Sequence, residues 1–140
     1  LIIGIPKEIY PEERRVAATP ATVQRLRKMG LDVQVQAGAG EAARFTDADY
    51  QDVGATIVPD AAGVWTTSDI VLKVRPPMRV PGPDQDEATL LKKGAMLAGF
   101  IWPAQHRDLL DQLVAREATT LAMDCVPRIT RAQKMDALSA

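Results

Sequence analysis

The chain is poor in the residues that build metal and nucleophile sites. Its 140 residues include one histidine, His106, and one cysteine, Cys125. That inventory is too small for a zinc site of the Cys/His kind. A lone cysteine also rules out an internal disulfide framework and fits a reducing compartment. A Ser-His-Asp triad would have to use His106, and no serine sits in a nucleophile elbow. The formal net charge is −1, so there is no bulk electrostatic pull toward nucleic acid or an anionic membrane. No apolar run approaches the roughly 18–20 residues of a membrane-spanning helix. The opening "LIIGIPKE" has neither the basic start nor the cleavage pattern of a signal peptide. Repeats and low-complexity tracts are absent. No G-x-x-x-x-G-K-[ST] phosphate loop occurs anywhere.

What remains is an ordinary globular composition, 46% hydrophobic and 25% charged, in a length that suits one domain with a real core. Short β-rich runs alternate with helical patterns. "LIIGI" (1–5), ended by Pro6, reads as a buried strand. Thr19 as N-cap, Pro20 at the first helical position and Gly30 beyond the end bracket a helix, with Val23 and Leu26 on its inner face. The stretch 31–38 alternates as a half-open strand, and "TDADYQDVG" is a short helix capped by Thr46 or Asp47. "ATIV" (55–58) is a third strand, "DAAGVW" a helical turn and "DIVLKV" (69–74) a strong strand. A proline-rich irregular loop follows, then a short helix in "DEATLLKKG" and a buried strand in "AMLAGFI" (95–101). Leu109, Leu110, Leu113 and Val114 mark an amphipathic helix, and "TTLAMD" (119–124) is the last strand. From Thr130 the tail has helical spacing, with Ala132, Met135 and Leu138 on one stripe.

Strands separated this regularly by helices predict an α/β fold, a mostly parallel sheet flanked by helices with right-handed crossovers, flavodoxin-like or Rossmann-like. Ligands of such sheets collect at the carboxyl ends of the strands. That rule directs attention to "GIPKE", "KVRPP", "FIWPAQ" and "MDCVPR".

Several candidates have a plain structural explanation. Gly38-Ala39-Gly40 follows a strand but lacks the third glycine of a dinucleotide loop, and reads as a turn. His106 reads as a solvated surface residue and Cys125 as a packed, inert thiol. Lys73 interrupts an apolar strand, so it must snorkel or find a partner. For Arg15 and Lys73 two readings stand level. One is internal salt bridges, with Glu8 or Glu13 as partners. The other is an anion-facing pair at the sheet edge. In the tail, Thr130 as N-cap and Gln133 as the third helical residue explain themselves as a capping box, but Arg128, Asp136 and Ser139 do not.

Taken together, "GIPKE", "ERRVAATP", "QAGAG", "DIVLKV", "FIWPAQ" and "MDCVPRITRAQKMDALS" resemble the start of the alanine dehydrogenase and nicotinamide nucleotide transhydrogenase superfamily, from about residue 3 to the end. The resemblance separates two branches. Alanine dehydrogenases place an acid/base histidine after the fifth strand and hold substrate with residues matching Arg15 and Lys73. Here Trp102 stands at the histidine position, and an indole cannot shuttle protons. "FIWPAQ" and "PRITRAQKMDALS" are similar to the transhydrogenase alpha subunit.

That branch implies the N-terminal domain, residues 1–140, of the NAD(H)-binding component of a proton-translocating NAD(P) transhydrogenase. NAD(H) would bind this component and NADP(H) a partner component. A membrane component would conduct protons. Direct hydride transfer between two nicotinamides needs ring apposition and water exclusion, with no acid/base residue. The resemblance further implies cofactor-binding roles for Arg128, Gln133, Asp136 and Ser139. Gln133 and Ser139 would position the carboxamide or ribose, and Arg128 and Asp136 would hold the nicotinamide. No catalytic side chain and no metal is expected. The Rossmann domain with its GxGxxG is expected downstream. The full-length component is expected as a homodimer, peripheral on the inner face of the bacterial inner membrane. Two alternatives stand beside this: an alanine-dehydrogenase-like oxidoreductase, and a non-catalytic α/β binding or regulatory domain.

Overall fold

In a computed structural model of the chain, which describes residues 1–78, 86–99 and 107–122, six strands form one parallel sheet in the order β3-β2-β1-β4-β5-β6. The elements run β1 (Ile2–Ile5), α1 (Pro20–Lys28), β2 (Asp32–Gln36), α2 (Asp47–Asp52), β3 (Thr56–Val58), α3 (Ala61–Thr67), β4 (Ile70–Leu72), α4 (Glu87–Leu90), β5 (Met96–Gly99), α5 (Arg107–Ala115) and β6 (Thr119–Ala122). This is the Rossmann strand order, within the flavodoxin-like/Rossmann-like class that the sequence predicts. The order reverses between β1 and β4, so the switch point lies between the loops that leave those two strands.

Local chemistry sets the helix starts. The Thr19 hydroxyl accepts the Thr22 N–H at 3.3 Å, with Pro20 behind it. Thr46 and Asp49 form a reciprocal capping box that starts α2. Asp60 caps α3 through the Gly63 N–H, and α3 continues to Thr67, beyond the single turn that "DAAGVW" suggests. β4 is shorter than its apolar run, three residues rather than six. Gly38 turns the chain after β2 with φ +78°, and its N–H donates to Asp47 Oδ1. Gly38-Ala39-Gly40 is therefore a closed turn, as its missing third glycine implies.

Register sorts the side chains into two cores. Ile3 and Ile5 of β1 lie beside Val33 and Val35 of β2 and pack with Val23 of α1 and Tyr50 of α2. Val71 of β4 and Leu97 of β5 point the other way, into Trp65 of α3, Ala88 of α4 and Leu109 and Leu113 of α5. α5 buries Leu109 and Leu113, whereas Val114 is exposed and does not belong to the apolar stripe. No helix among the described residues is long and apolar enough to cross a membrane.

Tyr50 joins the first core to the loop after β1. Its ring is fully buried, and its hydroxyl donates to the Ala18 carbonyl at 2.7 Å. Burial pushes the phenol up to about 12, so it stays a neutral donor. Tyr50→Phe leaves that carbonyl without its donor. The expected loss is about 1–2 kcal/mol of unfolding free energy, read from the urea midpoint at unchanged m-value.

Candidate functional site

The sequence places its chemistry at the carboxyl edge of the sheet, and the fold gathers part of it there. The loop after β1 begins with Pro6 and carries Glu8 inward. One Glu8 carboxylate oxygen accepts the Val74 N–H at 3.0 Å and the other accepts the Arg75 N–H at 2.9 Å. A single carboxylate thus caps the end of β4, 66 residues away in sequence.

Lys73 lies under this cap. Its side chain is 1% exposed, and Nζ stands 3.0 Å from Glu8 Oε1 and 3.7 Å from Glu87 Oε2. Among the described residues Nζ makes no hydrogen bond, so the attraction is one of charge. Glu87 is equally enclosed. Its Oε1 accepts the Met78 N–H and its own N–H donates to the Met78 carbonyl. Burial pushes the Glu87 carboxyl above its usual range, against the pull of the Lys73 ammonium. The backbone fits equally closely: the Lys73 N–H donates to Ala98, and a Cβ at Gly99 would overlap the Lys73 carbonyl.

A second cluster lies toward solvent. Tyr10, Pro11, Glu12 and Glu13 make a tight turn closed by the Glu13 N–H to the Tyr10 carbonyl at 3.0 Å. Pro11 at its second position and Glu12 with φ +68° at its third give it the character of a type II turn. Glu13 accepts two guanidinium bonds from Arg15, at 2.7 and 3.1 Å, and one from Arg75 Nε at 2.8 Å. Arg15 foremost holds the Glu13 carboxyl down to about 2. The Arg75 guanidinium carbon lies 4.2 Å from the centroid of the Tyr10 ring.

Both lysine and arginine candidates therefore show internal pairing, Lys73 with Glu8 and Arg15 with Glu13. Lys73 is sealed from solvent, while the Arg15 side chain remains 55% exposed. Arg128, Gln133, Asp136 and Ser139, with Trp102, His106 and Cys125, lie outside the described residues. No group of three or more His, Cys, Asp or Glu able to hold a metal occurs among the described residues. Glu87 and the Tyr10–Arg75 stack went unread in the sequence. Glu87 sits in "DQDEATLLKKG" like any acidic residue at a helix start, and only its burial distinguishes it.

Comparison with known proteins places this geometry in context. The family described as "Alanine dehydrogenase/PNT, N-terminal domain" matches residues 4–140. NAD(P) transhydrogenase subunit alpha of Cereibacter sphaeroides is 46% identical over 138 residues, 99% of this chain and 25% of that protein. Alanine dehydrogenase of Mycobacterium tuberculosis is 39% identical over 124 residues, 89% of this chain and 32% of that one. The crystal structure of transhydrogenase from Sinorhizobium meliloti superimposes with a TM-score of 0.87 at 37% identity, covering 99% of this chain and 40% of that one. The chain thus spans about a quarter of the Cereibacter sphaeroides protein's length.

Two measurements test these clusters. Glu8→Gln keeps an amide oxygen for a backbone N–H but leaves Lys73 without its anion. A loss of about 3 kcal/mol is expected, near the low end for a broken buried pair because Glu87 still stands 3.7 Å from the Lys73 ammonium. Adding Lys73→Met should recover most of it; strictly additive losses in urea unfolding contradict the pairing. Glu13, depressed in the folded state, contributes stability that is present above about 4.5 and lost as pH falls through about 2. Glu13→Gln should flatten the stability–pH curve across that window.

Proposed function

The chain belongs to the alanine dehydrogenase/PNT N-terminal domain family, and we propose that it is the first domain of the NAD(H)-binding component of a proton-translocating NAD(P) transhydrogenase. The observation that carries this choice is Trp102 in "FIWPAQ", just beyond β5. An amino-acid dehydrogenase needs a group there that exchanges a proton with substrate. An indole N–H does not titrate in the working range, and hydride exchange between two nicotinamides requires no such group. The higher identity to the transhydrogenase subunit than to the alanine dehydrogenase, across nearly the whole chain, supports the same branch.

In this reading NAD(H), when bound, supplies or accepts the hydride. The chain's own residues bind and aim it. Gln133 and Ser139 hold the carboxamide or ribose through hydrogen bonds, and Arg128 and Asp136 form the polar cluster that orients the nicotinamide. The described residues add no glycine-rich pyrophosphate cradle, because Gly38-Ala39-Gly40 closes on itself through Asp47. The pyrophosphate is then held by a downstream Rossmann domain, which the greater length of the relatives accommodates. NADP(H) sits on a partner component and a membrane component conducts protons. The full-length component is a homodimer held at the inner face of the bacterial inner membrane by its complex.

The sealed Lys73 and the paired Arg15 have a role here that needs no substrate. They fix the ends of β1 and β4, the two strands that flank the switch point. The alternative, an alanine-dehydrogenase-like enzyme, draws on the presence of these same two residues. It requires them to leave Glu8 and Glu13 for a substrate carboxylate and carbonyl.

The deciding experiment is hydride transfer from NADH to an NADP analogue by the full-length component with its NADP(H)-holding partner. Transfer is expected, with no oxidative deamination of alanine. Gln133→Asn should slow it by roughly 10–100-fold through misplacement of the ring. An unchanged rate removes Gln133 from the site, and alanine turnover without a second pyridine nucleotide removes the reading. Residues 1–140 alone should show no micromolar NADH binding by calorimetry.

A further inference from the structure

One exposed patch is built more rigidly than a surface loop requires. Ile9 and Tyr10 stand side by side at 37% and 43% exposure on the loop after β1. Large apolar side chains on a loop tip are usually turned inward. Here Tyr10 is held outward by the closed turn of residues 10–13 and by the Arg75 guanidinium stacked on its ring. Arg75 is itself fixed by Glu13, which also anchors Arg15. Glu12 takes up a left-handed conformation in that turn, φ +68°, although it is not glycine. Strain of this kind persists only where the surroundings over-determine it, and it concentrates at functional surfaces.

The charge around the aromatic leans basic: Lys7, Arg14, Arg15 and Arg75 against Glu12 and Glu13 leave a net +2 (four minus two). Lys7 and Arg14 are exposed on the same loop, Arg15 is half-exposed, and Arg75 covers the ring. Glu13 is buried beneath the guanidiniums, which leaves Glu12 as the exposed acid. A pre-ordered tyrosine framed by arginines is the composition of an interface hot spot, with few rotamers left to lose on binding. The patch stands at the carboxyl edge of the sheet, on the loop that leaves β1 at the switch point.

We propose that the Ile9–Tyr10 tip, with Lys7, Arg14, Arg15 and Arg75, is a docking surface for an acidic protein surface on the NADP(H)-holding component. This inference rests on the transhydrogenase reading for the identity of the partner. Basic charge at the rim steers the encounter, and the tyrosine–arginine stack supplies the anchored contact. The edge position brings the partner to the side of the sheet where a nicotinamide has to be met.

The test uses the full-length component and measures its binding to the NADP(H)-holding component by calorimetry at low and high salt, with NADH affinity measured separately. Tyr10→Ala should weaken component binding at least about ten-fold. Arg14→Glu should weaken it several-fold at low salt and less at high salt. Lys28→Glu, at the far end of α1, is the control and should change neither. Thermal melting confirms that each variant is folded; the Arg14 side chain makes no bond among the described residues, so its variant keeps the fold if Tyr10→Ala does not. Unchanged component binding in both variants overturns the inference. So does loss of NADH affinity with component binding intact, which would make the patch a nucleotide or small-anion contact. If binding falls as expected but no hydride is transferred by the unaltered pair, the docking surface stands and the transhydrogenase reading fails. Absence of any binding by the unaltered pair overturns both.

Discussion

The arrangement of the carboxyl edge depends on a charge that the fold has removed from water. Lys73 carries a buried ammonium just past the end of β4, 3.0 Å from Glu8, with its side chain 1% exposed. Such a charge is tolerated only with a counter-charge beside it, because isolating it costs several kcal/mol even after relaxation. The counter-charge comes from the loop after β1. Glu8 reaches Lys73 only when that loop folds back over β4, and when it does, its two oxygens also take the Val74 and Arg75 N–H groups. The requirement to neutralise one lysine therefore fixes how the two loops at the switch point lie against each other.

Once those loops are tied, the outer cluster follows. Glu8 holds the Arg75 backbone, and the Arg75 side chain can then bridge Glu13 and cover Tyr10. Glu13 is shared by two guanidiniums, and its depressed pKa records that charge. Glu87 shows the opposite response to burial. It already has a carboxylate neighbour in Glu8, and it is pushed toward its neutral form. Both carboxyls near Lys73 also accept backbone N–H groups, Glu8 from Val74 and Arg75 and Glu87 from Met78.

Much of the fold was legible in the sequence for reasons that are local. Thr19-Pro20, the Thr46/Asp49 capping box and Gly38 act within a few residues of themselves, so composition and spacing locate α1, α2 and the turn after β2. The boundaries that shifted are those where tertiary contacts intervene. β4 ends at Leu72 although the apolar run continues, because the Val74 and Arg75 N–H groups turn to Glu8 rather than to a neighbouring strand. α3 runs past its pattern to Thr67, where the Thr66 and Thr67 hydroxyls bond back to the Ala62 and Gly63 carbonyls. Val114 has the spacing of an inner residue but faces water, because Leu109 and Leu113, with Leu110 partly buried beside them, form the face that packs on the core.

The sequence alone determined the α/β class, the helix caps, the turn at Gly38-Ala39-Gly40 and the family, because each rests on residues close together in the chain or on motifs in fixed order. It also isolated Lys73 and Arg15 and named Glu8 and Glu13 as their possible partners. Only the tertiary structure showed which internal partners those two have. Glu8 and Lys73 are 65 residues apart in the chain, and nothing in their spacing says that they share a dry pocket. Glu87 as the third member and Tyr10 as a ring beneath Arg75 were likewise decided by the packing of distant loops, since burial belongs to the folded chain and to no single segment of it.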